Sequence, residues 1–211
     1  VRCMMAFPYR LNWPTIARVK ELAKQKIIGD PVIFSSRMKD TPPAWGEQDW
    51  FKKNEASGGP SLDHGVHEVD FCRWIFNAEA KRVFSVQGNY VFKEIEPCPD
   101  FGAMIITFEG GKLACVENSW TTHKEYIFPS AEAWRSNIIG TQIDRFYLME
   151  AEVIGTEGRA WFSTNNPYVL NVQTKAGQAF RYESSPVRGY ENVIRRFLEC
   201  ILRSEKPTPN E

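Results

Sequence analysis

The 211-residue sequence has no surplus of either charge: 26 Lys and Arg stand against 26 Asp and Glu. No global field would therefore gather a nucleic-acid backbone or an anionic membrane surface. It has no Cys-x-x-Cys pair, and its five cysteines, Cys3, Cys72, Cys98, Cys115 and Cys200, are scattered and odd in number. That usage suits a reducing cytoplasm better than an oxidising compartment. No run approaches the roughly 18 to 20 apolar residues that a bilayer span needs; charge-free apolar stretches such as Phe101 to Phe108 are of strand length. Neither Gly-x-Gly-x-x-Gly nor Gly-x-x-x-x-Gly-Lys-Ser/Thr occurs, so the two common nucleotide-binding turns are missing. No charged and apolar leader opens the chain at Val1, which fits a protein without an export signal and also a fragment of a longer one.

What is present is enough for a substantial core: 43% of the residues are hydrophobic and 13% aromatic. Length places the chain at one domain or one with an appendage. Ile16, Val19, Leu22, Ala23 and Ile27 share a stripe that predicts a helix over Pro14 to Ile28, capped near Asn12 and closed by Gly29. A strand from Pro31 to Lys39 leads into Asp40 to Pro60, whose three prolines, three glycines and aromatics Trp45, Trp50 and Phe51 follow neither period and predict a long functional loop. Ser61 is the expected cap of a helix to Phe76, with Leu62, Val66, Val69, Cys72 and Phe76 as its apolar stripe.

From Ala80 the pattern turns extended. It predicts strands at Arg82 to Phe92, Gly102 to Phe108, Lys112 to Trp120, Arg145 to Ile154, Arg159 to Ser163, Tyr168 to Gln173 and Ala179 to Glu183. Hairpins are expected at Gly110-Gly111, Gly155 to Gly158 and Lys175 to Gln178. A last helix is expected over Tyr190 to Arg203. The order implies an α+β architecture, a large, mostly antiparallel open sheet with helices on one face. Its uncovered face carries apolar positions that predict self-association, most simply as a two-fold dimer.

Histidine is scarce. There are three, and two of them fall within Gly59-Pro-Ser-Leu-Asp-His-Gly-Val-His67. On a helix, Asp63 and His67 stand one turn apart on one side, followed by Asp70 and Trp74 on the same stripe. A carboxylate beside an imidazole is an arrangement for general acid–base work near neutral pH, and Asp70 could orient the ring. The plainer alternative makes Asp63 and His64 capping aids and His67 a surface residue. A metal site from Asp63, His64 and His67, as in an isomerase or hydrolase, is disfavoured because Asp63 and His64 point about 100° apart round a helix.

The run Gly58-Gly-Pro-Ser-Leu-Asp-His-Gly-Val-His-Glu-Val-Asp70, followed by Arg73-Trp-Ile-Phe76, resembles the signature helix of the glucose-fructose oxidoreductase, inositol dehydrogenase and MocA family. Phe7 to Arg10, Pro14, Lys20, Ile28-Gly29, Trp50-Phe51, Phe108-Glu-Gly-Gly-Lys-Leu113 and Val153-Ile-Gly-Thr-Glu-Gly158 are similar to further family segments in the same order. The resemblance implies the carboxy-terminal domain of an oxidoreductase that uses NAD or NADP on a sugar, inositol or related polyol. That domain is similar in fold to the carboxy-terminal domain of glyceraldehyde-3-phosphate dehydrogenase. Residues 1–12 would be a remnant of the last strand and link of an absent dinucleotide-binding domain, and residues 13–211 the substrate-binding and oligomerisation domain.

By the same resemblance Asp63 and His67 match the family's acid–base pair, and the open sheet face its subunit interface. The family's catalytic lysine lies in a Glu-Lys-Pro motif of the other domain; Glu205-Lys206-Pro207 follows the final helix here, so Lys206 is given no role. Arg10, Trp45, His64 and His123 are the candidate substrate contacts. An arginine before a helix, as Arg10 is, is more often a solvated surface group and a strand-edge histidine such as His123 usually only packing, while Trp45, Trp50 and Phe51 read as loop anchors as readily as a wall for a sugar's apolar face. The isolated chain is expected to bind no dinucleotide and to be inactive alone, which leaves a non-catalytic oligomerisation or ligand-binding module as the competing reading.

Overall fold

Along each central strand, residues that bury their side chains alternate with residues that do not, and this period of two builds one sheet with one covered face. The computed structural model describes residues 3–5, 7, 10, 13–42, 50–95, 97–122, 147–163, 169–183 and 191–207. Eight strands are present among them: β1 (Pro31–Asp40), β2 (Ala80–Gly88), β3 (Phe101–Phe108), β4 (Leu113–Ser119), β5 (Tyr147–Gly155), β6 (Gly158–Ser163), β7 (Val169–Thr174) and β8 (Ala179–Glu183). They form one sheet in the order β2-β3-β4-β1-β5-β6-β7-β8. Every neighbouring pair is antiparallel except β1 and β4. A parallel pair needs a crossover connection, and here it is the long excursion between β1 and β4 that carries the helices and the β2–β3 hairpin. The expected α+β sheet is therefore found, with β1 at its centre.

The helices of the described residues are α1 (Pro14–Lys24), the single turns α2 (Asn54–Ser57) and α3 (Pro60–Asp63), α4 (Gly65–Phe76) and α5 (Glu191–Leu202). Ile16, Val19 and Leu22 of α1 are fully buried, and Phe71 of α4 meets Phe34 of β1 edge-on with 5.2 Å between ring centroids. Such aromatic pairs add about 0.5–1.5 kcal/mol beyond the area they bury. Lys20 and Lys112 donate to the carbonyls of Trp74 and Phe76 at the carboxy-terminal end of α4, where cations satisfy free carbonyls and oppose the helix dipole. The α4 axis is thereby fixed at its far end.

Three local expectations are corrected. The first helix stops at Lys24 and not Ile28, because Lys26 takes a left-handed φ of 58° and turns the chain. The strand expected to run to Phe92 ends at Gly88. Beyond it, the backbone N–H groups of Tyr90, Val91 and Phe92 donate to the carboxylate of Asp100 at 2.9, 2.7 and 2.8 Å, which takes them out of the ladder. The described part of the presumed loop has a short helical turn at Trp50–Lys52 and α2, anchored by Phe51 edge-on to the buried Trp120 at 6.1 Å.

The open face is mixed, not simply apolar. One row across the sheet reads Phe84, Ile105, Cys115, Ser35, Glu152, Trp161 and Asn171. Arg37 pairs with Glu117 at 3.3 Å and Arg159 with Glu152 at 3.2 Å, while Phe84 and Ile105 stay 67% and 48% exposed. No helix among the described residues is long and apolar enough to cross a membrane.

Candidate active site

Asp63 and His67 stand where α3 passes into α4. The expectation of one helix from Ser61 to Phe76 is corrected: Pro60 occupies the first turn, and the helix is interrupted at His64. Proline at the first helical position supplies its own start, so Ser61 does not cap. Its hydroxyl lies 1.9 Å from where a Cβ on Gly102 would be, and it packs on β3 instead. Gly65 follows the interruption. A Cβ there would come within 3.0 Å of both Asn118 Oδ1 and Met104 Cε, so glycine is what lets α4 lie this close to the sheet.

The buried side of α4 also differs from the predicted stripe. Leu62 and Val66 are 61% and 39% exposed, and the residues facing the sheet are Gly65, Glu68, Phe71, Cys72, Ile75 and Phe76. The three-and-four spacing back from Phe71, Cys72 and Ile75 lands on Glu68, a signal visible in the sequence but masked by the charge of that residue. Glu68 is fully buried, and its Oε2 accepts from Asn118 Nδ2. Burial pushes its carboxyl up to about 7, against the opposing pull of the Ser36 hydroxyl, Asn118 and the charge of His64.

Two i, i+4 pairs result, one residue out of step. Asp63 and His67 are part-exposed, while His64 and Glu68 face inward at 5% and 0% exposure. His64 Nε2 lies 3.3 Å from Oδ2 of the buried Asp40, at the end of β1, and 3.6 Å from Asp63 Oδ2. His64, expected among the substrate contacts, is thus placed behind Asp63. Burial, followed by the charge of His64, holds the His67 imidazole below its ordinary range, with Asp63 pulling the other way. Neutral His67 is a base ready to take a proton. Phe7 sets its ring edge-on to His67 at 5.8 Å.

Arg10, the next candidate, clamps Asp70: Nε donates to Oδ2 at 2.7 Å and Nη2 to Oδ1, with the guanidinium 5.6 Å from the Trp74 ring centroid. Both Asp70 oxygens therefore go to Arg10, although burial still pushes that carboxyl above its usual value. The orienting role toward His67 expected of Asp70 is replaced by this clamp. Trp45 and His123 lie outside the described residues. Trp50 stacks on Phe51 at 3.8 Å, so these two aromatics serve each other.

The glycine pair before α3 is the nearest thing to a phosphate-binding turn. A Cβ at Gly59, φ 71°, would sit 2.8 Å from Pro99 O, so this turn packs directly against the backbone at Pro99.

The model for the GFO/IDH/MocA C-terminal domain matches residues 16–161. The chain belongs to the GFO/IDH/MocA family. Among GFO/IDH/MocA relatives and neighbours, the oxidoreductase YrbE of Bacillus subtilis is 25% identical over 195 residues, covering 89% of this chain and 50% of its own length. The scyllo-inositol 2-dehydrogenase (NAD(+)) of the same organism is 26% identical, with 98% and 54% covered. A levoglucosan dehydrogenase, solved in complex with NADH and levoglucosan, superposes with a TM-score of 0.75 at 18% identity, covering 99% of this chain and 59% of that one. At that identity the likeness is one of fold. The chain spans about half the length of the relatives it matches.

Proposed function

We propose that this chain is the substrate-binding and acid–base part of an oxidoreductase that oxidises a secondary alcohol of a sugar, an inositol or a related polyol. The observation that carries the reading is the Asp63–His67 pair: an imidazole held neutral by burial, beside a carboxylate, at a part-exposed position over the sheet. His67 takes the hydroxyl proton as the carbon–oxygen double bond forms, and Asp63 stabilises the imidazolium that results. A nicotinamide cofactor, NAD or NADP, would accept the hydride from the same carbon. The sequence holds neither of the two common glycine-rich nucleotide-binding turns, so that cofactor would be held by another part of a longer protein, and residues 13–211 would be its substrate domain. The similarity to a scyllo-inositol 2-dehydrogenase and the fold shared with a levoglucosan dehydrogenase support the polyol class.

Phe84, Ile105 and Trp161 on the open face also favour a homo-oligomer formed through that face, a role compatible with catalysis. Nicotinamide reduction by the complete protein, followed against a panel of inositols and anhydrosugars, tests the reading. Oxidation confined to polyols with a free secondary hydroxyl is expected; no turnover with any of them, under NAD or NADP, would refute it.

A further inference from the structure

The acid–base reading uses Asp63 and His67 and leaves unexplained why the residue at the break between α3 and α4 turns its imidazole inward. His64 Nε2 lies 3.3 Å from Asp40 Oδ2 and 3.6 Å from Asp63 Oδ2. An ionised carboxylate only accepts, so a ring nitrogen between two of them is the one that carries hydrogen. Both contacts are longer than an ordinary hydrogen bond and act as electrostatic contacts. Asp40 is the fixed end of this row. It closes β1, which is paired on both sides at the centre of the sheet; its carbonyl accepts from Thr122 N at 3.0 Å and its Oδ1 from Thr41 N at 2.7 Å. Side-chain exposure rises from 0% at Asp40 to 7% at His64 and 25% at Asp63, so restraint passes outward from the strand. The His64 carbonyl also accepts from the backbone N–H of His67 at 2.9 Å. One residue thus meets both members of the pair, Asp63 through its ring and His67 through its backbone.

We propose that Asp40 and His64 are positioning residues for Asp63: the strand-held carboxylate of Asp40 aims the His64 imidazole, whose Nε2–H faces Oδ2 of Asp63 and so fixes the direction of the other oxygen, Oδ1. Neither residue touches a reacting atom. A carboxylate is planar, so orienting one oxygen selects one rotamer of a side chain that is otherwise free to sample several. The significance of this row rests on the acid–base reading of Asp63 and His67, but its physical content involves no substrate.

The test reads the Asp63 side chain of the 211-residue chain by NMR. Three-bond couplings from its carboxyl carbon to its own backbone nitrogen and carbonyl carbon give the χ1 populations, and wild type is expected to show one dominant rotamer. Asp40→Asn is the discriminating variant. Its amide oxygen stays on the Thr41 N–H, so its NH2 group turns toward His64. Either two donors then meet, or the ring moves its hydrogen to Nδ1 and shows Asp63 a lone pair. In both cases Asp63 is released and its couplings become rotamer averages, while the backbone shifts of α4 stay near wild type. His64→Leu, which fills the space without a donor, should do the same. An averaged Asp63 in wild type, or an unchanged rotamer in either variant, overturns the proposal. Should neither variant fold, wild type decides: one rotamer with hydrogen on Nε2 in a long-range proton–nitrogen spectrum supports it, and hydrogen on Nδ1 alone overturns it.

In the complete protein, with the polyol it oxidises fastest, His64→Leu should lower kcat about tenfold to a hundredfold with KM nearly unchanged. In an Asp63→Asn background the same substitution should add nothing, since a residue acting through Asp63 has nothing left to act on. A loss of equal size in that background overturns the proposal. Full turnover in Asp63→Asn alone would instead remove the acid–base reading and leave the rotamer result standing, so the two can fall separately.

Discussion

Glu68 shows at the scale of one residue how a buried charge leaves a mark on stability. Its carboxyl moves from an ordinary 4.5 to about 7 on folding, so between those values the folded state binds a proton that the unfolded state has released. Stability from this group is therefore present below about pH 4.5 and lost as pH rises to about 7, and the loss is of order 3 kcal/mol. Glu68→Gln keeps the shape and carries no charge. It should raise the thermal midpoint above pH 7 and match wild type near pH 4, a pattern that calorimetry across pH would reveal; equal midpoints at every pH would mean the charge is not buried as described. His67 contributes with the opposite sign. Its folded value lies below the ordinary one, so stability falls as pH drops through the histidine range.

At the scale of elements, most of the fold was legible and the orientation of α4 was not. Strand positions followed from alternation: Met149, Ala151 and Val153 of β5 are buried as their period of two requires, and the hairpins fall at the glycines that marked them. The helix was misjudged by a rotation, because an apolar-stripe argument favours Leu62 and Val66 and treats a glutamate as a surface residue. Asn118 on β4 supplies the partner that lets Glu68 go inside, and such a partner is 50 residues away in the sequence. The spacing of Asp63 and His67 was readable because it needs only one turn of helix. The inward turn of His64 toward Asp40 was not, since it depends on where β1 ends. Gly65 is the element-level test: Gly65→Val would drive a branched side chain into Asn118 and Met104, costing about 1–3 kcal/mol and lifting the start of α4 from the sheet. A chemical-denaturation midpoint equal to wild type would show that α4 does not need this close approach.

For the whole molecule, the two faces of the sheet differ in what they present. One is covered by α1 and α4 and carries the proposed acid–base pair, Asp63 and His67, at its margin; the other presents Phe84, Ile105 and Trp161 among ion pairs. If the second face joins subunits, Phe84→Lys combined with Ile105→Lys should turn a dimer into a monomer in sedimentation at micromolar concentration with little change in thermal midpoint. A wild-type monomer under the same conditions would remove the interface. The central claim concerns the first face: the proton chemistry is carried here, while the dinucleotide is held elsewhere. The most direct measurement is steady-state turnover and cofactor affinity of the complete protein carrying His67→Ala. The account predicts turnover lower by roughly a hundredfold to ten-thousandfold with cofactor affinity nearly unchanged. Turnover within a few fold of wild type on a substrate the enzyme oxidises would contradict it.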